Sequence, residues 1–297
     1  MTDLQQAPAL PDPGDQEEVI PRENVLVRTG KSSYETLGQL GDQLVFYGRI
    51  IRDVPITIRR YSQEIRRLLG EVTFGSGALA VVGGSIGIIV FLTFSTGAVV
   101  GLAGYQGLHE VGTEPYAGFI SAYFNTREVA PLVSALALSA TIGCGFTAQL
   151  GAMRIGEEID ALETMAIPPV RYLVTTRVLA ATLAVIPLYG IGLLSSYAAT
   201  RFVATAYYGQ SAGTYDHYFR AFLPVHDIYL SFLKVIIFAV IVVLIHCYYG
   251  FHASGGPAGV GVAVGRSVRL VIIVINVADF FLSLVLFGPN APVRIGG

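Results

Sequence analysis

Long apolar runs appear in the chain only after the charged residues 1–70. Since the hydrocarbon core of a bilayer is about 30 Å thick and a helix rises about 1.5 Å per residue, a run of roughly 20 apolar residues can cross it. Five runs are long enough, and the predicted spans are residues 75–107, 128–153, 173–200, 229–249 and 268–287. The pattern therefore predicts an all-α integral membrane protein with about five transmembrane helices.

The first run is too long for one upright span, so we expect a steep tilt or an extension beyond the headgroups. Composition agrees with a membrane protein, because 53% of the residues are hydrophobic and 13% are charged. A soluble domain carries charge on about a quarter of its residues.

The segment before the first run is polar at first and then amphipathic. Residues 1–30 contain prolines and carboxylates, which predicts a disordered cytoplasmic tail and not a secretory signal. Residues 31–70 are predicted to form amphipathic helices at the membrane interface, separated at Pro55; an ordinary cytoplasmic helix is the alternative. The second helix has an apolar face of Ile58, Tyr61, Ile65, Leu68 and Leu69, and a cationic face of Arg59, Arg60, Arg66 and Arg67.

Basic residues indicate the orientation, because they concentrate on the cytoplasmic side of membrane proteins. With the N-terminus inside, the cytoplasmic side holds fourteen of the 19 lysines and arginines, counting those in the inner ends of spans. The remaining five are Arg127, Arg201, Arg220, Lys234 and Arg294. Five spans then place the C-terminus outside.

The second span carries small residues in register. Such a face allows another helix to approach closely, within the chain or between subunits. Its members are Ala135, Ser139, Gly143, Thr147 and Gly151, with an adjacent row of Ala140, Cys144, Ala148 and Ala152.

A short acidic helix is predicted at residues 155–167, between the second and third spans. Ile155, Ile159, Leu162 and Ala166 share one face, and Pro168 ends the helix. Because like charges this dense are mildly destabilising, a cationic partner would help. Docking to a cytoplasmic ATPase, a metal site and a solvated loop are the open interpretations. The carboxylates are Glu157, Glu158, Asp160 and Glu163.

Ionisable residues inside apolar spans are costly and mark function or structural pairing. Lys234 and Asp279 both lie in the outer halves of their predicted spans, and Arg127 and Glu128 lie at a similar depth. The sequence therefore predicts a four-member charge network, which either fixes helix register or gates substrate entry.

Two motif matches point to other functions and fail on context. Ser85 lies in a GxSxG match, but a nucleophile elbow requires a strand-to-helix turn. Residues 255–265 are glycine-rich, yet no strand precedes them. No GxxxxGK[ST] motif occurs, so ATP hydrolysis by the chain itself is excluded. Cys144 and Cys247 are isolated and no basic tract occurs, so we predict no metal, no cofactor and no nucleic-acid partner.

The segment EEIDALETMAIPPVRYLVTTRVLA, residues 157–180, resembles the MlaE permease family. The similarity extends to GAVVGLAGY at 97–105, REVAPLVSALALSATIG at 127–143 and CYYGFHASGGPAGVGVAVGRSV at 247–268, so residues 71–297 form an MlaE-like permease domain. The segments HCYYGFHASGG and YGQSAGTYDHYF resemble B-type YrbE subunits of actinobacterial Mce transporters.

The resemblance implies a permease subunit in an inner-membrane ABC-type complex that moves lipids or fatty acids, in the import direction. Implied partners are an A-type YrbE subunit, a cytoplasmic ATPase dimer and Mce-domain proteins on the outer, periplasmic side. A lipid pocket would lie at the dimer interface, toward the first span, with Leu102 and Tyr105 as lining candidates. Docking to the ATPase would involve Glu157, Glu158, Asp160, Glu163 and Met165.

Two other functions remain as alternatives. An ion-coupled secondary lipid transporter would use Asp279 and Lys234, and an intramembrane hydrolase would use Ser85. ATP dependence distinguishes the first from the ABC-type permease, and a serine-directed probe tests the second.

Overall fold

The structure is a computed structural model that describes residues 25–74 and 84–288, with side chains from residue 41 onward. Nine helices and no strand occupy these two ranges. Helices α1 and α2 are Val25–Arg60 and Ser62–Phe74. Five helices are long and apolar enough to cross a membrane: α3 (Gly84–Glu110), α4 (Glu114–Ile155), α6 (Val170–Tyr207), α8 (Val225–Phe251) and α9 (Gly256–Phe287). Two short helices lie between them: α5 (Glu158–Thr164) and α7 (Ala212–Ala221). The predicted all-α integral membrane protein with five spans is confirmed.

The chain divides into two compact units, Met1–Val45 and Phe46–Gly297. In the first unit the described part is the helix of residues 25–45. The predicted tail therefore lies outside the described residues up to residue 24, and its last residues, 25–30, are helical. Every feature below belongs to the second unit.

The predicted separation at Pro55 is wrong, because α1 runs through this residue and the chain bends at Tyr61 instead. A proline inside a helix costs about 3 kcal/mol. Contacts before it offset that cost: the Phe46 ring packs against Tyr248 of α8 at 5.5 Å between centroids, and the Asp53 carboxylate accepts a hydrogen bond from Arg171 at 3.0 Å.

Helix α2 packs on the bundle through part of the face that was predicted to lie in the headgroups. Ile65 and Leu68 are buried against Ala180 of α6, whereas Ile58 at the end of α1 is 51% exposed. The arginines of the opposite face are exposed. Small residues on α6 leave room for the α2 side chains. The spacing of apolar residues in the sequence shows that one face of α2 is buried, but it does not show whether protein or lipid covers that face.

The spans are longer than their apolar cores predicted. Helix α4 begins at Glu114, not at residue 128, and α9 begins at Gly256, not at residue 268. The glycine-rich run at 255–265 is therefore the start of α9, entered through positive φ angles at Gly255 and Gly256 and followed by Pro257 in the first turn. Residues 75–83 of the first predicted span lie outside the described residues.

Two π-helical stretches interrupt α4, at Ser121–Val129 and Ser139–Gly143. A π-turn accommodates an extra residue in a helix and often occurs at a functional site. The first stretch carries Arg127 and Glu128, and the second carries Ser139. Both change the direction in which the following side chains of α4 point.

Close helix pairs form the core of the bundle. A Cβ atom on Gly97 of α3 would lie 2.6 Å from the backbone oxygen of Ser196 in α6, and the Thr200 hydroxyl donates to the Gly97 carbonyl at 2.8 Å. The small-residue row of α4 is buried within the chain, where Thr147 faces Gly250 of α8. The adjacent row is half-buried at Cys144 and exposed at Ala140, Ala148 and Ala152.

Helices α3 and α9 lie at the periphery. Only 22% and 11% of their most apolar windows are buried, against 50–56% for α4, α6 and α8. Because successive spans run in opposite directions, the bundle has two ends. We call them the α5 end, where α4 and α8 finish, and the α7 end, where α3, α6 and α9 finish.

Candidate functional site

A buried ammonium group lies at the centre of a charge cluster near the α7 end. Lys234 of α8 is fully buried. Its Nζ atom lies 2.7 Å from Asp279 Oδ1 of α9 and 3.0 Å from Glu128 Oε2 of α4. Lys234 also donates to Ser283 Oγ at 2.7 Å and to the backbone oxygen of Arg127 at 2.8 Å. One side chain thus ties three spans together.

Arg127 joins this cluster through its backbone, while its guanidinium group binds a different carboxylate. The Nε and Nη2 atoms lie 2.8 Å and 2.6 Å from Asp227 Oδ2. The Arg127 guanidinium also lies over the rings of Tyr123 at 4.3 Å and Phe287 at 4.9 Å. The structure therefore brings together the four predicted charges, with Asp227 as a fifth member that the sequence reasoning missed.

The position of Asp227 in the sequence explains why it was not predicted as a member of the charge cluster, and it also shows how it could have been. It lies in the first turn of α8, outside the apolar run in which buried charges were sought. It precedes Lys234 by two helical turns and so lies on the same helix face. A search for carboxylates at that spacing would have identified it.

The acidic helix α5 presents its carboxylates to solvent at the α5 end. Ile159 is fully buried and Leu162 is half-buried, so the apolar side of this short helix holds it against the bundle. Asp160 pairs with Arg154 at 2.7 Å. The other proposed docking residues are all exposed: Glu157, Glu158, Glu163 and Met165.

A cleft of about 340 Å³ adjoins α5. Asp160 and Glu163 line one side of it, and the turn between α8 and α9 lines the other, including Phe251 and His252. An acidic wall beside aromatic rings favours a cationic side chain. In the described residues, no group of three or more His, Cys, Asp or Glu side chains could hold a metal ion.

The two residues assigned to a lipid pocket lie about one helical turn apart on α3 and differ in their surroundings. Leu102 is 36% exposed on the outer face. Tyr105 stacks on Tyr208 with 4.0 Å between ring centroids and packs beside Ala117 and Tyr215. That these two side chains line a lipid pocket stays a prediction.

A second buried polar cluster surrounds His246 of α8, and the sequence reasoning missed it. The His246 Nε2 atom lies 2.8 Å from Ser139 Oγ, and Nδ1 lies 2.8 Å from Thr147 Oγ1 and 3.0 Å from Ser267 Oγ. The Thr147 and Ser267 hydroxyls can each donate to a backbone carbonyl, which leaves them as acceptors for an Nδ1 proton. The ring then accepts from Ser139 and joins α4, α8 and α9.

Ser85, the serine of the GxSxG match, is buried in the first turn of α3. No strand precedes it in the described residues. A nucleophile elbow exposes its serine, whereas Ser85 is buried.

Comparison with known proteins gives a consistent family. The model of the family described as permease MlaE matches residues 74–285. The chain is 30% identical over 171 residues to a probable ABC transporter permease protein of Synechocystis, which covers 58% of this chain and 65% of the relative. It is 29% identical over 211 residues to a probable ABC transporter permease protein of Rickettsia typhi, covering 68% and 78%.

A plant relative extends the comparison. Protein trigalactosyldiacylglycerol 1 of Arabidopsis thaliana, a chloroplastic protein, is 28% identical over 204 residues, covering 68% of this chain and 58% of the relative. The chain thus spans less than two thirds of the cyanobacterial and plant relatives. The family match covers more than half of the chain and includes all five membrane-spanning helices in whole or in part. The chain is therefore a multi-pass membrane transport subunit that belongs to the MlaE permease family.

Proposed function

We propose that this chain is the B-type YrbE permease subunit of an ABC-type Mce transporter that imports lipids or fatty acids across the inner membrane. In this proposal a separate ATPase dimer hydrolyses ATP on the cytoplasmic side, which is the side of the α5 end. An A-type YrbE subunit completes the permease, and Mce-domain proteins bind on the outer, periplasmic side. The N-terminus is cytoplasmic and the C-terminus periplasmic.

The exposed acidic helix carries the proposal. Ile159 anchors α5 to the bundle, and Glu157, Glu158 and Glu163 are exposed and form no ion pair in the described residues. Met165, which is 60% exposed, adds an apolar contact surface next to these charges. This combination suits insertion into a groove with basic side chains, and movement of such a groove would push directly on α4 and α6.

Reversing the exposed charges tests the docking. The variant carries Glu157→Lys, Glu158→Lys and Glu163→Lys, which leaves the Arg154–Asp160 pair intact. We expect the ATPase to be lost from the complex purified through this chain, while the permease elutes as a monodisperse species. The control is Glu110→Lys, a single substitution of the same type on an exposed residue at the opposite end, which should keep the ATPase. Retention of the ATPase by the α5 variant would refute the docking.

Two observations support a lipid substrate. The plant relative is named for a galactolipid, and the exposed outer face of α3 needs a lipid or protein neighbour. We place the lipid pocket between this face and the A-type subunit, with Leu102 and Tyr105 as lining candidates and the exposed α4 row near Ala148 as a further contact surface. Mass spectrometry of lipids that copurify with the complex, before and after Leu102→Trp, tests this: the lipid should be displaced.

The buried Lys234–Asp279 pair favours one alternative, an ion-coupled secondary lipid transporter. The two functions differ in their energy source. Lipid uptake should stop when the partner ATPase is inactivated by substitution and should continue when the proton gradient is collapsed. The opposite result would favour the ion-coupled transporter.

A further inference from the structure

The buried charges near the α7 end do not balance. Arg127 and Asp227 form one closed pair. Lys234 then remains as a single ammonium facing two carboxylates, Glu128 and Asp279. With every group ionised, two cations and three carboxylates carry a net negative charge beside an apolar core. Two carboxylates that share one site favour protonation of one of them.

The ammonium also has too few protons for its neighbours. A lysine has three N–H donors, and those of Lys234 are used by the Arg127 backbone oxygen, Ser283 Oγ and Glu128 Oε2. Asp279 Oδ1 lies 2.7 Å from the same nitrogen but accepts no hydrogen bond in the described part of the chain. A buried polar atom without a partner calls for an explanation.

A proton on the carboxyl pair removes both deficits. Glu128 Oε2 and Asp279 Oδ1 lie 3.0 Å and 2.7 Å from the same Lys234 nitrogen, and a hydrogen bond between two carboxyl groups exists only if a proton lies between them. It also supplies the missing neutralising charge.

No other group in the described residues can supply that charge. Apart from Lys234, no Lys, Arg or His lies within 4.0 Å of either carboxylate there. From α4 the cluster is faced by Tyr123, which lies against the Arg127 guanidinium. From α6 it is faced by Tyr197, whose hydroxyl bonds to Thr126. Neither side chain is a cation.

We propose that Glu128 and Asp279 hold one proton between them at neutral pH, which makes the cluster an electrically neutral proton-binding site that joins α4 to α9. The proton can exchange toward the α7 end, because the Glu128 side chain is 38% exposed while that of Lys234 is enclosed. The proton leaves when the two carboxyl groups separate, and each is then free to ionise. This site does not depend on the proposed function, since it exists whether ATP or an ion gradient drives transport.

Infrared spectroscopy of the purified complex in nanodiscs tests the proposal, because a protonated carboxyl has a C=O stretching band that a carboxylate lacks. We expect one such band at neutral pH, shifted in D₂O. It should be lost in Glu128→Gln and equally in Asp279→Asn, because removal of either carboxyl leaves Lys234 with one ionised partner. The control Asp216→Asn, an exposed carboxylate on α7, should retain the band.

Three results would overturn the proposal. The first is the absence of the band from the unsubstituted complex, a measurement that requires no variant to fold. The second is an undiminished band in both variants. The third is loss in Asp279→Asn alone, which would place the proton on Asp279 without sharing.

Discussion

At the scale of single residues, Lys234 has the largest predicted effect on stability. It is fully buried and touches acceptors on two neighbouring helices. Replacement by methionine keeps the length of the side chain but leaves Glu128 and Asp279 without their cation. We expect Lys234→Met to lower the free energy of unfolding by about 3–5 kcal/mol, the usual cost of breaking a buried ion pair from one side.

Thermal unfolding in detergent measures this effect. The control is Arg220→Met, because Arg220 is exposed on α7 and should change the melting temperature little. Equal stability of the two variants would mean that the Lys234 cluster does not stabilise the bundle.

Which charges meet could be predicted only in part. Lys234, Glu128 and Asp279 were predicted to lie at a similar depth in the membrane. This depth follows from the helical rise per residue and from the direction in which each span crosses the bilayer. The partner of the Arg127 guanidinium depends on the π-helical stretch Ser121–Val129, which rotates the side chain toward Asp227. A local change of helix type leaves no apolar signature in the sequence.

At the scale of helices, the contact between α3 and α6 relies on the absence of a side chain at Gly97. A Cβ atom there would meet the backbone of Ser196, which cannot move aside cheaply. We expect Gly97→Ala to destabilise the protein by about 1–3 kcal/mol through overpacking. Gly107→Ala, on the same helix with nothing within 4 Å, should be neutral or stabilising by up to about 1 kcal/mol. Unfolding curves of the two variants, compared with the unsubstituted protein, should therefore move apart; a similar loss in both would contradict the close contact.

Helix α7 is tied to α6 by a solvent-exposed ion pair whose contribution should depend on pH. Arg201 donates two hydrogen bonds to the Asp216 carboxylate, at 2.9 Å and 3.0 Å, and this lowers the pKa of Asp216. A lowered folded-state pKa gives stability that is present above the unfolded value, near 3.9, and is lost as the pH falls through the folded value.

Because both side chains are partly exposed, the pair contributes less than about 1 kcal/mol. We expect Arg201→Gln to reduce stability slightly at pH 7 and to match the unsubstituted protein at a pH below the lowered folded-state pKa of Asp216. Hydrogen exchange of α7 amides at the two pH values measures the difference. A gap of the same size at both values would show that the carboxylate is not responsible.

The observed helix boundaries agree with the sequence prediction where hydrophobicity alone determines them, and they differ from it elsewhere. The end of α9 at Phe287 matches the predicted limit. Its start differs, because Gly255–Pro257 form a helix entry that resembles a loop in composition. Pro55 is similar: its cost is local, whereas the contacts of Phe46 and Asp53 that offset it come from residues far along the chain.

At the scale of the whole molecule, the number of spans follows from the sequence because bilayer thickness imposes it. The distribution of basic residues indicates which end of the bundle faces the cytoplasm. In the described part of the second unit, Arg66, Arg67, Arg154, Arg171 and Arg266 lie at or near the α5 end, while Arg201 and Arg220 lie at the α7 end. The surfaces that bind partner subunits cannot be predicted from the sequence in the same way, because a lipid-facing helix face and a subunit interface are both apolar.

The side on which each end lies can be measured by cysteine labelling. The background is Cys144→Ala with Cys247→Ala, which removes the two native thiols. Because arginine-rich ends stay in the cytoplasm, Glu163→Cys on α5 should react with a membrane-impermeant maleimide only after the cells are permeabilised. His217→Cys, exposed on α7, should react in intact cells. The reverse pattern would place α5 outside, where no cytoplasmic ATPase could reach it, and would overturn the docking proposal together with the orientation.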